Sequence, residues 1–159
     1  MPRSSAVDGF SLAYDRTGEG PPVVLLHGWP GGRTDYREVV PLLADVADLV
    51  VPDLRGFGES DTHLVPPDEG YTAAAQARSV TGLLDELGLG PVVLAGYEIG
   101  SRIAQTVASR SPSSSRAERS SRWKFWYQNS VRTSGWRSRC PAPGIGGAVS
   151  YTHLTLPTN

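Results

Sequence analysis

Apolar positions in the first two thirds of the chain fall into two alternating kinds of block. "PPVVLLHG" (21–28), "DLVVPD" (48–53) and "PVVLAG" (91–96) are short, continuous apolar runs bounded by Pro, Gly or Asp. Runs of that length and composition predict strands buried on both faces. Between them the apolar positions recur at helical spacing. "RTDYREVVPLLADV" (33–46) puts Tyr36, Val39, Val40 and Leu43 on one stripe, and Pro41 is expected to kink or restart that helix. "YTAAAQARSVTGLLDELGLG" (71–90) aligns Ala73, Ala77, Val80, Leu84 and Leu87, with Thr72 as N-cap and Gly88 as the stop. "IGSRIAQTVAS" (99–109) begins another helix, and "FSLAYDRTGEG" (10–20) reads as a short amphipathic strand before all of these. Buried strands separated by helices predict an α/β fold over residues 10–109, with a mostly parallel sheet and helices on both faces.

Charge changes the picture by dividing the chain. The net charge of −1 over 159 residues conceals an inversion. Residues 1–109 hold 7 basic and 15 acidic residues, a balance of −8, and residues 110–159 hold 8 basic and 1 acidic, a balance of +7. From Arg110 to Cys140, 9 Ser and 7 Arg fill 16 of 31 positions, and no apolar period survives. A further buried strand is due after the last helix, yet no Val/Ile/Leu run appears. Residues 110–148 are therefore expected to be disordered or the product of an out-of-frame reading. "VSYTHLTLPTN" (149–159) resembles the translation of a sequencing adapter, so His153 is not recruited as a base. The competing reading, a natural Arg/Ser tail that binds RNA, needs strongly salt-dependent binding to survive; no nucleic-acid partner is expected. One cysteine, Cys140, makes no internal disulfide. No run approaches the ~20 apolar residues of a membrane span. The start of the chain has no secretory signal pattern. A cytoplasmic protein without a membrane partner is expected.

Candidate chemistry sits in three loops, each directly after an apolar strand: "HGWPGG" (27–32), "DLRGFGESD" (53–61) and the turn around Gly96-Tyr97-Glu98-Ile99-Gly100. Parallel sheets gather their reactive groups at the C-terminal ends of strands, so the three loops are predicted to meet on one edge. The third has the frame of a nucleophile elbow, with a carboxylate at its centre where a hydroxyl is usual.

On these motifs, residues 7–110 resemble the α/β-hydrolase fold and, within it, the epoxide hydrolase and haloalkane dehalogenase branch. His27-Gly28-Trp29-Pro30 is similar to that branch's H-G-x-P motif, "DLRGFGESD" to its next loop, and "GYEIG" to its G-Y-D-I-G elbow with Glu98 in place of Asp. The resemblance implies a partial α/β-hydrolase core over 1–109. It implies Glu98 in the nucleophile position, and the backbone N–H groups of Trp29 and Ile99 as an oxyanion hole. It also implies a cis peptide before Pro30 and a small-molecule substrate, an epoxide or a haloalkane, with no cofactor and no metal. A carboxylate suits substitution at a saturated carbon, where it forms an alkyl ester that water then hydrolyses with a histidine as base.

Glu98 departs from the pattern. Its extra methylene moves the attacking oxygens by about 1.5 Å, and a displacement of ~1 Å costs on the order of a hundredfold in rate. Three explanations stand open: a displaced but working nucleophile, an inactivating change, or a one-base sequence error. An esterase, or a hydrolase homologue that keeps only the pocket, competes with the epoxide reading. The family's acid, late histidine and helical cap cannot be mapped, and Tyr127 lies in the basic segment. The chain as written is therefore expected to be an inactive fragment with an unpaired sheet edge.

The remaining motif residues have structural readings. His27 comes before the elbow, whereas the catalytic histidine of this fold comes last. Gly96 and Gly100 relieve crowding in the turn, and Gly28 and Pro30 shape their loop. Asp53 and Arg55 are expected to form a loop-fixing pair. His63 is expected to be solvated, and Ser101, one residue past the elbow, is a poor nucleophile. The ring of Trp29 either lines a pocket or only packs.

Overall fold

A computed structural model describes residues 1–110 and the backbone of 123–128. Five strands, Tyr14–Thr17 (β1), Pro22–Leu26 (β2), Asp48–Pro52 (β3), Val92–Tyr97 (β4) and Trp123–Gln128 (β5), form one sheet in the order β1-β3-β2-β4-β5. β2, β3, β4 and β5 run parallel, and β1 pairs antiparallel to β3. The apolar runs alternate between faces. Val24, Leu26, Val50 and Leu94 face one core with Ala77, Val80, Leu84, Ile103 and Val107. Leu25, Leu49 and Val51 face a second, with Tyr36, Val40 and Leu43 packed on it. Burial on both faces is what the unbroken apolar strands required.

The helices follow the same logic. Helix α3 (Ala73–Glu86) starts where Thr72 Oγ1 accepts from Ala75 N at 3.1 Å, as the N-cap position predicts. It ends in a Schellman turn: Gly88 N donates to Asp85 O, Leu89 N donates to Leu84 O, and Gly88 takes φ +62°. Helix α4 (Ile99–Ser109) lies beside it. The 33–46 segment is not one helix. It forms a 3-10 turn at Arg33–Tyr36, then α1 at Val40–Leu43, with Pro41 in the first turn. Proline without an N–H restarts the helix there. A single turn, α2 (Pro67–Gly70), was not foreseen. No helix among the described residues is long and apolar enough to cross a membrane.

β5 pairs with β4 from Val92↔Trp123 to Tyr97↔Gln128, so among the described residues the sheet ends on β1 and β5. Within 110–148, expected to be disordered or out of frame, 123–128 forms a strand. Its sequence, "WKFWYQ", carries no Val, Ile or Leu but is rich in aromatic residues, which favour strands equally well.

Candidate active site

The first and third strand-end loops meet around two amide nitrogens, and the second packs on the first, where Asp53 accepts from Arg33 N and Leu54 N donates to His27. Trp29 N donates to Glu98 Oε2 at 2.8 Å, and Ile99 N donates to the same oxygen at 2.7 Å. One anionic oxygen is therefore shared by donors from two different loops. Glu98 sits between β4 and α4 with φ 52° and ψ −118°, a positive φ rare for any residue with a Cβ. Its side chain projects into solvent-exposed space instead of the core. The turn closes because the elbow glycines carry no side chain. A Cβ on Gly100 would overlap the carbonyls of Leu26 and His27, and one on Gly96 would crowd Gly100.

The extra methylene of Glu98 thus folds back far enough to keep one carboxylate oxygen against both amides. Oε1 has no hydrogen-bond partner among the described residues. Such an arrangement holds one oxygen rigidly and presents the other.

His27 is fully buried. Its Nε2 accepts from Leu54 N at 3.0 Å, so Nδ1 carries the proton and donates to Gly28 O at 2.8 Å. Both ring nitrogens are committed to backbone. Trp29 is two-thirds exposed, and its peptide bond to Pro30 is cis. Ser101 Oγ donates to Glu98 O at 2.7 Å, which ties it to the helix start. His63 is exposed but not simply solvated: its Nε2 lies 3.0 Å from Gly9 O and its ring packs edge-on against Phe10.

Asp53 and Arg55 do not pair with each other, which corrects the expectation. Asp53 binds the Arg33 guanidinium and accepts from Arg33 N at 2.7 Å and Glu59 N at 2.9 Å. Arg55 turns to the other side. It donates to Ser79 Oγ, Gly70 O, Val7 O and Asp8 Oδ2, and its backbone is held at both ends by Gln76. Partners so distant in sequence are chosen by tertiary neighbours, which spacing within the loop does not encode.

Sequence reasoning also missed Tyr97 and Asp35. Tyr97 Oη donates to Asp35 Oδ2 at 2.6 Å, and that oxygen also accepts from Gly32 N at 3.1 Å. This bond, first among its causes, holds the Asp35 carboxyl below the usual carboxylate range. Tyr97 is pushed up, by burial first and by Asp35 second. Only the place of Tyr97 inside the elbow could have signalled it. Among the described residues no group of three or more His, Cys, Asp or Glu side chains is gathered to hold a metal ion.

The model of the alpha/beta hydrolase fold matches residues 21–117, well over half of the chain. The chain belongs to the α/β-hydrolase fold family. Within that family it is 36% identical over 98 residues to a soluble epoxide hydrolase of Corynebacterium sp. (strain C12), covering 62% of this chain and 33% of the relative. It is 33% identical over 112 residues to a haloalkane dehalogenase of Bradyrhizobium diazoefficiens, covering 69% and 35%. Among solved structures, an esterase from Thermogutta terrifontis superposes with a TM-score of 0.62 at 36% identity, covering 69% of this chain and 41% of that one. This α/β-hydrolase chain spans about a third of the length of the curated relatives it matches. The described residues correspond to the N-terminal part of the fold.

Proposed function

We propose that residues 1–109 are the nucleophile-bearing part of an epoxide-hydrolase-type α/β hydrolase, with Glu98 as nucleophile and a small epoxide as substrate. The observation that carries the reading is the convergence of Trp29 N and Ile99 N on Glu98 Oε2. Oε2 rests in the oxyanion hole while Oε1 attacks a saturated carbon. A C–O ester bond forms, the epoxide C–O bond breaks, and its electron pair stays on the departing oxygen, which water protonates. The ester carbonyl oxygen is then already between the two amides, where negative charge develops when water attacks. A serine-type esterase is disfavoured because the elbow carries a carboxylate and Ser101 Oγ is spent on Glu98 O. A haloalkane is the second substrate class, since the same displacement then releases halide.

Hydrolysis of the ester needs a base near it. Neither described histidine is free for this: His27 has both nitrogens bound and His63 is tied to Gly9. The described residues by themselves therefore support a single turnover that stops at the ester. We read 110–148, of which β5 joins the sheet, and 149–159 as segments without a role in the chemistry.

The test is intact-mass and peptide-mass analysis of the full chain after incubation with styrene oxide or a haloalkane. One adduct is expected, on the Glu98 peptide, accumulating without sustained product release. Absence of an adduct, or one that persists in Glu98→Gln, overturns the assignment. Sustained turnover by the purified chain overturns the single-turnover reading.

A further inference from the structure

The two amides that meet on Glu98 belong to separate loops, Trp29 to the β2 exit and Ile99 to the elbow. Rate depends on the distance between them, because both must reach one oxygen at 2.7 to 2.8 Å. Glu98 itself bridges them, but during reaction its carboxylate becomes an ester and loses charge. A second bridge crosses the same gap without using Glu98. Tyr97 reaches from the elbow to Asp35, and Asp35 Oδ2 also holds Gly32 N in the loop that carries Trp29. The Tyr97 ring fills the space over Gly28, the residue before Trp29, so closely that a Cβ on Gly28 would overlap it. Tyr36 stands edge-on to that ring at 6.2 Å and donates to Leu26 O at the end of β2.

The geometry points to a latch: the Tyr97–Asp35 hydrogen bond sets the spacing of the Trp29 and Ile99 amides, making both side chains positioning residues for the reaction at Glu98. This rests on the reading of Glu98 as nucleophile. The bond is well suited to the task. A hydroxyl donating to a carboxylate is charge-assisted, shorter and stronger than a bond between neutral groups. It keeps its charge while the ester forms, so the hole stays assembled when Glu98 no longer holds it closed.

The test uses the full chain, with alkylation of Glu98 followed by intact mass over a range of styrene oxide concentrations. Tyr97→Phe and Asp35→Asn are each expected to lower the limiting rate about tenfold, equivalent to about 1.4 kcal/mol, with little change in half-saturation. The double variant is expected to be no slower than either single, because both remove one bond. Asp35→Glu is expected to restore part of the rate. In nitrogen-15 spectra, the Trp29 and Ile99 amide protons are expected to move upfield in Tyr97→Phe, where the ring still fills the space over Gly28. Wild-type limiting rates and unmoved amides in Tyr97→Phe overturn the latch, and Tyr97→Phe decides alone if Asp35→Asn does not fold. A wild-type chain that takes no adduct overturns the nucleophile assignment instead, and the amide shifts still decide the latch.

Discussion

Asp53 and Glu98 are two carboxylates at the ends of the parallel strands β3 and β4, which flank β2, each collecting two backbone N–H groups, and they differ in what closes over them. Asp53 is 1% exposed and is neutralised by the Arg33 guanidinium. Its amide donors and its cation engage both of its oxygens. Glu98 is exposed, has no ion-pair partner among the described residues, and keeps Oε1 unbonded. On the proposed reading of Glu98, the same donor chemistry yields a structural rivet in one place and a reactive group in the other. A buried, compensated charge has nothing left to offer a substrate, while a half-satisfied carboxylate at the surface is fixed by one oxygen and available through the other.

The sharpest way to break this comparison is at the reactive member. Glu98→Gln is expected to lower the alkylation rate by at least about a thousandfold, measured by adduct mass, while the urea unfolding midpoint changes little because the cap and its amide contacts remain possible. Glu98→Asp is expected to keep the adduct, since the displaced oxygens are the only difference. At the structural member the expected outcome is reversed. Asp53→Ala removes the buried partner of Arg33, leaving it only the exposed Asp15 and Glu59, and unpairs two amides; it should cost about 3–5 kcal/mol in urea unfolding, which is large for a domain of this size.

The link between the two loops gives a smaller effect. Gly28→Ala drives a Cβ into the Tyr97 ring. A destabilisation of about 1–3 kcal/mol is expected, together with slower alkylation as the Trp29 amide shifts. The smallest effect lies away from the site, at the far end of Arg55. Hydrogen bonds first from Arg55 and then from Arg78 hold the Asp8 carboxyl below its ordinary range. A carboxylate whose folded pKa is depressed adds stability above its unfolded value, about 3.9, and loses it as pH falls through the lower folded value. Asp8 is 42% exposed, so solvent screens the pair and the gain stays under about 1 kcal/mol. The loss of unfolding midpoint between pH 6 and pH 3 is expected to be slightly smaller in Asp8→Asn than in wild type.

Local patterning made most of the scaffold legible. The apolar runs at 21–28, 48–53 and 91–96 each became a strand, because a run with no polar face has no stable place except between two layers. Thr72 and Gly88 marked the ends of α3, because caps act within a few residues of themselves. The elbow was legible for the same reason, since its glycines and its central residue are adjacent in the chain. The partners of Asp53 and Arg55 were not, because Arg33, Asp8, Gln76 and Ser79 lie far away in sequence and meet the loop only after folding. β5 escaped notice because its apolar residues are aromatic and lie between polar, arginine-rich stretches.

The sequence by itself determined an α/β layering and where a carboxylate would stand on a tight turn, since both follow from short-range periodicity and from glycine placement. It did not decide whether that carboxylate, one methylene longer than the family pattern, still reached its donors. Only the tertiary structure brought Trp29 N and Ile99 N to one oxygen, because their meeting depends on how two strands register side by side and on the Tyr97–Asp35 bond between their loops. Distances across a sheet edge are set by packing, and no spacing along the chain records them.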